Sequence, residues 1–179
     1  MPHRDLLRLF AAAAGALPFV PESLDAAIEI GRRLHLRGPF AARYGMLDME
    51  QARLTSGLAD AILSSADTPG GSAEVDAAGF IGRLLNEWYD FEEAQPFLVG
   101  LARLDERARQ QYGIPLLGLS QDQRAEFLDS IGRAEGAPGS PEASWARLKA
   151  LAIYGYLTSE RVLSEMTVGA SGYRLSAIS

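Results

Sequence analysis

Two histidines, one acidic cluster and one glycine-rich tail are the places in this chain where reactive chemistry could reside. His3 and His35 lie far apart, and neither belongs to an HExxH or Glu-x-x-His arrangement that would set two ligands on one helical face. A histidine metal site is not expected, and His35 reads as an ordinary residue near a helix C-terminus, where positive charge meets the negative end of the dipole. Asp90, Glu92 and Glu93 follow Trp88 and Tyr89 and could hold a hard cation or act as a general base. Three carboxylates at a helix start also interact favourably with the dipole and with water, and that is their expected role. Gly169, Ser171 and Gly172 set a serine among glycines, but the G-x-S-x-G order is missing and no strand precedes them. No glycine-rich dinucleotide fingerprint follows a strand, so the chain carries no flavin-binding motif of its own.

The loop Asp67, Thr68, Pro69 and Gly70 lacks the alternating oxygen ligands of a calcium hand. Asp67 reads instead as a cap or an Asx turn ahead of Pro69.

Composition removes further classes. A net charge of −6, with Lys149 the sole lysine, leaves no clustered cations for a phosphate backbone, so no nucleic-acid partner is expected. The chain has no cysteine, which excludes disulfides, a thiolate zinc site and covalent haem attachment. With 179 residues, 47% of them hydrophobic, it is long and apolar enough for one domain with a real core. The apolar run from Leu9 to Val20, interrupted by Pro18, spans about a dozen residues against the roughly 20 that a membrane-crossing helix needs.

The elements that would position these groups are nearly all helical, because apolar residues recur at three and four while period-two alternation is absent. Ser23 caps a first helix carrying Ala27, Ile28, Gly31 and Leu34, ended by Gly38 and Pro39. Asp48 and Gln51 form a capping box for a second, with Leu54, Leu58, Ala61 and Ile62 on its buried stripe. Ala77, Phe80, Ile81, Leu84 and Trp88 mark a third, in which Gly79 and Gly82 permit close approach by a neighbour. Pro96 suits the first position of a fourth, with Phe97, Leu101, Leu104 and Ala108 inward and Gly113 as its C-cap. Ser120 and Gln123 open a fifth that buries Phe127, Leu128 and Ile131. Gly132 to Ser144 reads as a flexible link, and a last helix carries Trp145, Leu148, Leu151, Ala152 and Gly155. The resulting expectation is an all-α, compact helical bundle. Residues 1–20 form a signal-like or anchoring segment, 21–165 the helical domain and 166–179 an irregular tail.

Three blocks carry a family resemblance: Leu54 to Leu85, with its Asp-Thr-Pro-Gly loop; Leu101 to Ile131, with a helix ending at Tyr-Gly and the next opening at Leu-Ser; and Leu148 to Glu160, with a Gly-Tyr-x-Thr-Ser terminus. Together they resemble the gluconate 2-dehydrogenase subunit 3 family, small subunits that accompany large flavin-dependent sugar dehydrogenases. The resemblance implies a non-catalytic accessory role, with no cofactor in this chain. Its partner would be a large subunit of the glucose-methanol-choline type holding FAD and oxidising a sugar or polyol, often with a cytochrome c subunit. It also implies membrane association through the complex and a periplasmic location, with a cytoplasmic one as the alternative. The family's twin-arginine signal has a partial counterpart in Arg4, Leu6, Leu7 and Arg8, while His3 stands in the place of the first arginine.

The helix around Tyr154, Tyr156 and Leu157 is apolar nearly all round, which suggests that another protein covers part of it. Trp88, Tyr89, Tyr154 and Tyr156 are the candidate anchors, because tyrosine and tryptophan offer a large apolar area with a polar tip. The Asp67 to Gly70 loop would join them as part of the contact. The same rings could instead fill the domain's own core. A free-standing homodimeric interaction protein, and a metal enzyme built on Asp90, Glu92 and Glu93, are the competing readings.

Overall fold

The computed structural model describes residues 23–36, 44–65, 75–160 and 162–164. Among them there are six longer α-helices, one 3-10 turn, a short helical stretch at residues 160 and 162–164, and no strand: α1 (Leu24–Leu36), α2 (Met49–Ser65), α3 (Ala77–Trp88), α4 (Phe91–Tyr112), the turn Leu116–Gly118, α5 (Gln121–Gly132) and α6 (Pro141–Leu157). The all-α expectation is met. None of these helices is long and apolar enough to cross a membrane.

Helix starts follow from side chains that satisfy the first free N–H groups. The Ser23 hydroxyl accepts from the Ala26 N–H at 3.1 Å. Asp48 and Gln51 complete their capping box, with bonds of 2.8 and 3.0 Å. The Asp76 carboxylate accepts from the Gly79 N–H at 2.9 Å, and Ser120 and Gln123 exchange bonds of 3.3 and 3.1 Å at the head of α5. Gly113 stops α4 in the left-handed region with φ 76°, and nothing lies near the Cβ it lacks, so conformation alone requires glycine there.

Two boundaries differ from the sequence expectation. Helix α4 begins at Phe91 rather than Pro96, because Asp90 supplies the cap and the Glu93 carboxylate returns to the Asp90 N–H at 3.1 Å. Pro96 then lies inside the helix, close enough to its start that the ring costs few hydrogen bonds. Helix α6 begins at Pro141, inside the stretch read as a flexible link, because Ser140 caps it by accepting from the Ala143 N–H at 3.1 Å.

The core is organised around α6, which packs against α2, α3, α4 and α5. Its Leu148, Leu151, Ala152 and Tyr154 are fully enclosed, and Phe80, Leu84, Leu101, Leu104 and Phe127 reach the same interior from the surrounding helices. The α4–α6 crossing is close because Gly100 faces Ser144, where a Cβ would stand 1.9 Å from the hydroxyl oxygen. That hydroxyl donates to the Phe97 carbonyl at 3.1 Å, so the crossing is hydrogen-bonded as well as tight. Gly82 makes a second close approach, as expected for a helix glycine. A Cβ there would meet the Tyr44 carbonyl at 1.9 Å, and one on Gly45 would meet the Gly82 carbonyl at 2.0 Å.

Candidate functional site

The chain's most conspicuous residues converge at the C-terminal end of α6. Tyr154 donates its hydroxyl proton to the Ala27 carbonyl at 2.6 Å, and its ring meets Phe80 edge-on at 5.6 Å between centroids. Gly155 lets Phe80 approach to 2.9 Å from the position a Cβ would take. The Thr158 hydroxyl donates to the Tyr154 carbonyl at 2.9 Å, and the Ser159 hydroxyl to the Tyr156 carbonyl at 2.7 Å. Gly-Tyr-x-Thr-Ser therefore ends the helix with hydroxyls that add a second bond to carbonyls already accepting from the Thr158 and Ser159 N–H groups, and Val162 folds back into the core just beyond it.

This arrangement corrects the premise for the tyrosine interface. Tyr154, Tyr156 and Leu157 are 0%, 7% and 3% exposed, and Tyr89 is 8% exposed. Helix α6 is apolar all round because it runs through the middle of its own bundle, so no second protein is needed to cover it. Tyr89 is also occupied from within: the Arg147 guanidinium lies 4.4 Å from its ring centroid and bonds its hydroxyl. Burial pushes the Tyr89 phenol up, against the opposing pull of Arg147. Trp88 is half-buried against the core. Asp67, Thr68, Pro69 and Gly70 lie outside the described residues, as do His3, Gly169, Ser171 and Gly172.

His35 also has a different role from the one its position suggested. Its Nε2 donates to the Gly155 carbonyl at 2.8 Å and its ring stacks on Phe80 at 4.7 Å. Burial holds its pKa below the ordinary imidazole value, so the ring is a neutral wedge between helices rather than a charge on a dipole. Asp90, Glu92 and Glu93 are exposed at the start of α4. Among the described residues no three His, Asp or Glu side chains gather into a group that could hold a metal ion.

Sequence reasoning missed the apolar groups that do face water. Met49 and Phe91 are 68% and 63% exposed, and Val99 and Ile114 are exposed to a smaller degree. Phe91 could have been found from its position between Asp90 and Glu92, outside the inward stripe that starts at Ala94. A groove of about 810 Å³ also opens between α2, α5 and α6, lined by Asp60, Arg124, Asp129, Arg133, Trp145 and Lys149. Its cations are already engaged, Arg133 with the Asp129 carbonyl at 3.3 Å. Arg124 donates to the Leu117 and Leu119 carbonyls at 3.0 and 3.1 Å, and the Lys149 ammonium sits 5.3 Å from the Trp145 ring centroid.

The family model described as gluconate 2-dehydrogenase subunit 3 matches residues 49–175. The chain belongs to that family. The match takes in α2 through α6 and all three blocks that carried the resemblance, while α1 precedes it. No curated protein and no solved structure matches the chain. Membership of the subunit 3 family makes this an accessory subunit of a multi-subunit dehydrogenase, and so implies a partner subunit.

Proposed function

We propose that this chain is the non-catalytic small subunit of a dehydrogenase complex whose large subunit, of the glucose-methanol-choline type, holds FAD and oxidises a sugar or polyol. The match over residues 49–175 is the observation that carries this reading. The polar side chains Ser120, Ser140, Ser144 and Arg83, which close helix ends or join helices, are in keeping with it. The small subunit would favour the folded large subunit by binding that form alone, a mass-action effect that grows with its concentration. Electrons would pass from the flavin to a cytochrome c subunit. The N-terminal segment with Arg4 and Arg8 would carry the complex to the periplasm.

Capture of the native complex through a tag on this chain tests the reading. The expected result is a co-purified flavoprotein with flavin absorbance and sugar or polyol dehydrogenase activity. A large subunit that folds, reaches the periplasm and turns over fully when this chain is deleted would overturn it. Tyr156→Ala is a poor probe for this purpose, since the side chain is buried within its own fold. Phe91→Ser changes exposed surface and leaves the core intact.

A further inference from the structure

The helix that precedes the family match, α1, is fastened by a small set of contacts onto residues within the match. Gly31 lies against Thr158, where an added Cβ would stand 2.4 Å from the threonine side chain. The Ala27 carbonyl accepts from the Tyr154 hydroxyl, and the Leu34 carbonyl accepts from Arg83 Nε at 2.8 Å. His35 completes the attachment: its ring lies flat on Phe80, Nε2 donates to the Gly155 carbonyl, and the Thr158 hydroxyl stands 3.4 Å from the same nitrogen. The acceptor is a carbonyl, so the proton of the neutral ring resides on Nε2. Among the described side chains of α1, Ala27 and Leu34 are fully buried in the core, with Ile28 and Ile30 half-covered. A helix of 13 residues has little stability by itself, so α1 stays helical only while it is docked.

We propose that α1 is a pH-gated cover: neutral His35 locks it onto the Phe80, Tyr154 and Thr158 seat, and acidification releases it.

The charged groups facing His35 are Arg83 on α3, which disfavours imidazolium, and Asp76 at the head of α3, which favours it. The carbonyl of Gly155 on α6 also favours the charged ring, but burial outweighs both. Undocked, the imidazole returns to its ordinary value of about 6.5. The released form therefore binds more protons as the pH falls through that value. Docking weakens by up to about tenfold per pH unit until the docked ring itself protonates, and above the ordinary value it is insensitive to pH. Release bares the Phe80 and Tyr154 rings, a surface made entirely of residues within the family match.

The full-length chain permits a direct test, because its two histidines give two imidazole signals that a His3→Gln variant assigns. Histidine NMR should show His35 titrating below the ordinary value. Deuterium exchange, corrected for intrinsic rates, should show protection of residues 24–36 falling measurably, by at most about tenfold, between about pH 7.5 and about pH 5.5 while α4 and α6 stay protected. His35→Gln keeps an N–H donor without a titrating proton and should hold α1 equally well at both pH values. Unchanged α1 protection, loss of protection equally across all helices, or a His35 signal titrating at or above the ordinary value would each overturn the proposal. If His35→Gln fails to fold, the NMR titration and exchange of the native chain still decide.

Discussion

Helices α5 and α6 are neighbours with opposite relations to water. Helix α5 buries Phe127, Leu128 and Ile131 along one stripe and leaves its remaining length wet, so its sequence announces both its face and its orientation. Helix α6 buries residues around nearly its whole circumference, from Ser144 and Trp145 through Leu157. A one-sided pattern tells where the core is. An all-round pattern tells only that the helix is covered, and the cover can be the same chain or a second one. Four surrounding helices make it the same chain here, which moves any partner surface to the periphery, where Met49 and Phe91 are exposed.

The contrast breaks if the central helix tolerates truncation. Leu151→Ala removes a fully enclosed side chain of α6 and should cost about 2–5 kcal/mol in urea unfolding, among the largest single effects in the molecule. Gly100→Ala drives a methyl group into Ser144 at the α4–α6 crossing and should cost about 1–3 kcal/mol, with little change in the denaturant slope. On α5 the vulnerable point is its start: Ser120→Ala opens the capping box and should cost about 1 kcal/mol by thermal or urea melting. Glu126→Ala on the wet face of α5 should stay within about 0.5 kcal/mol of the native chain. Phe91→Ser should be equally mild in stability, so any loss of the large subunit during capture would sharpen the assignment of the partner surface to the periphery.

Much of this was legible from local signals. Ser23, Asp48 with Gln51, Ser120 with Gln123, and Gly113 each act within one turn, and each does in the structure what its spacing indicated. Pro96 misled because proline at a helix start and proline one turn in look alike, and the cap at Asp90 decides between them. The role of His35 was illegible for a different reason: its acceptor lies 120 positions away, and no periodicity carries that information. The tyrosines failed the same way, since residue type shows that Tyr154 needs covering but not that Ala27 and Phe80 do it. Family membership was readable because it rests on the order of blocks, which the match over residues 49–175 reproduces.

A side chain on Gly45 would need the space of the Gly82 carbonyl, and one on Gly82 the space of the Tyr44 carbonyl, so both glycines are crowded by main chain alone. Most crowded positions in a protein can be rescued by trimming the neighbour, but here the neighbour has nothing left to trim. The pair is thus a point without second-site suppressors: a library that randomises the two together should return glycine at both, whatever else in the bundle is allowed to vary.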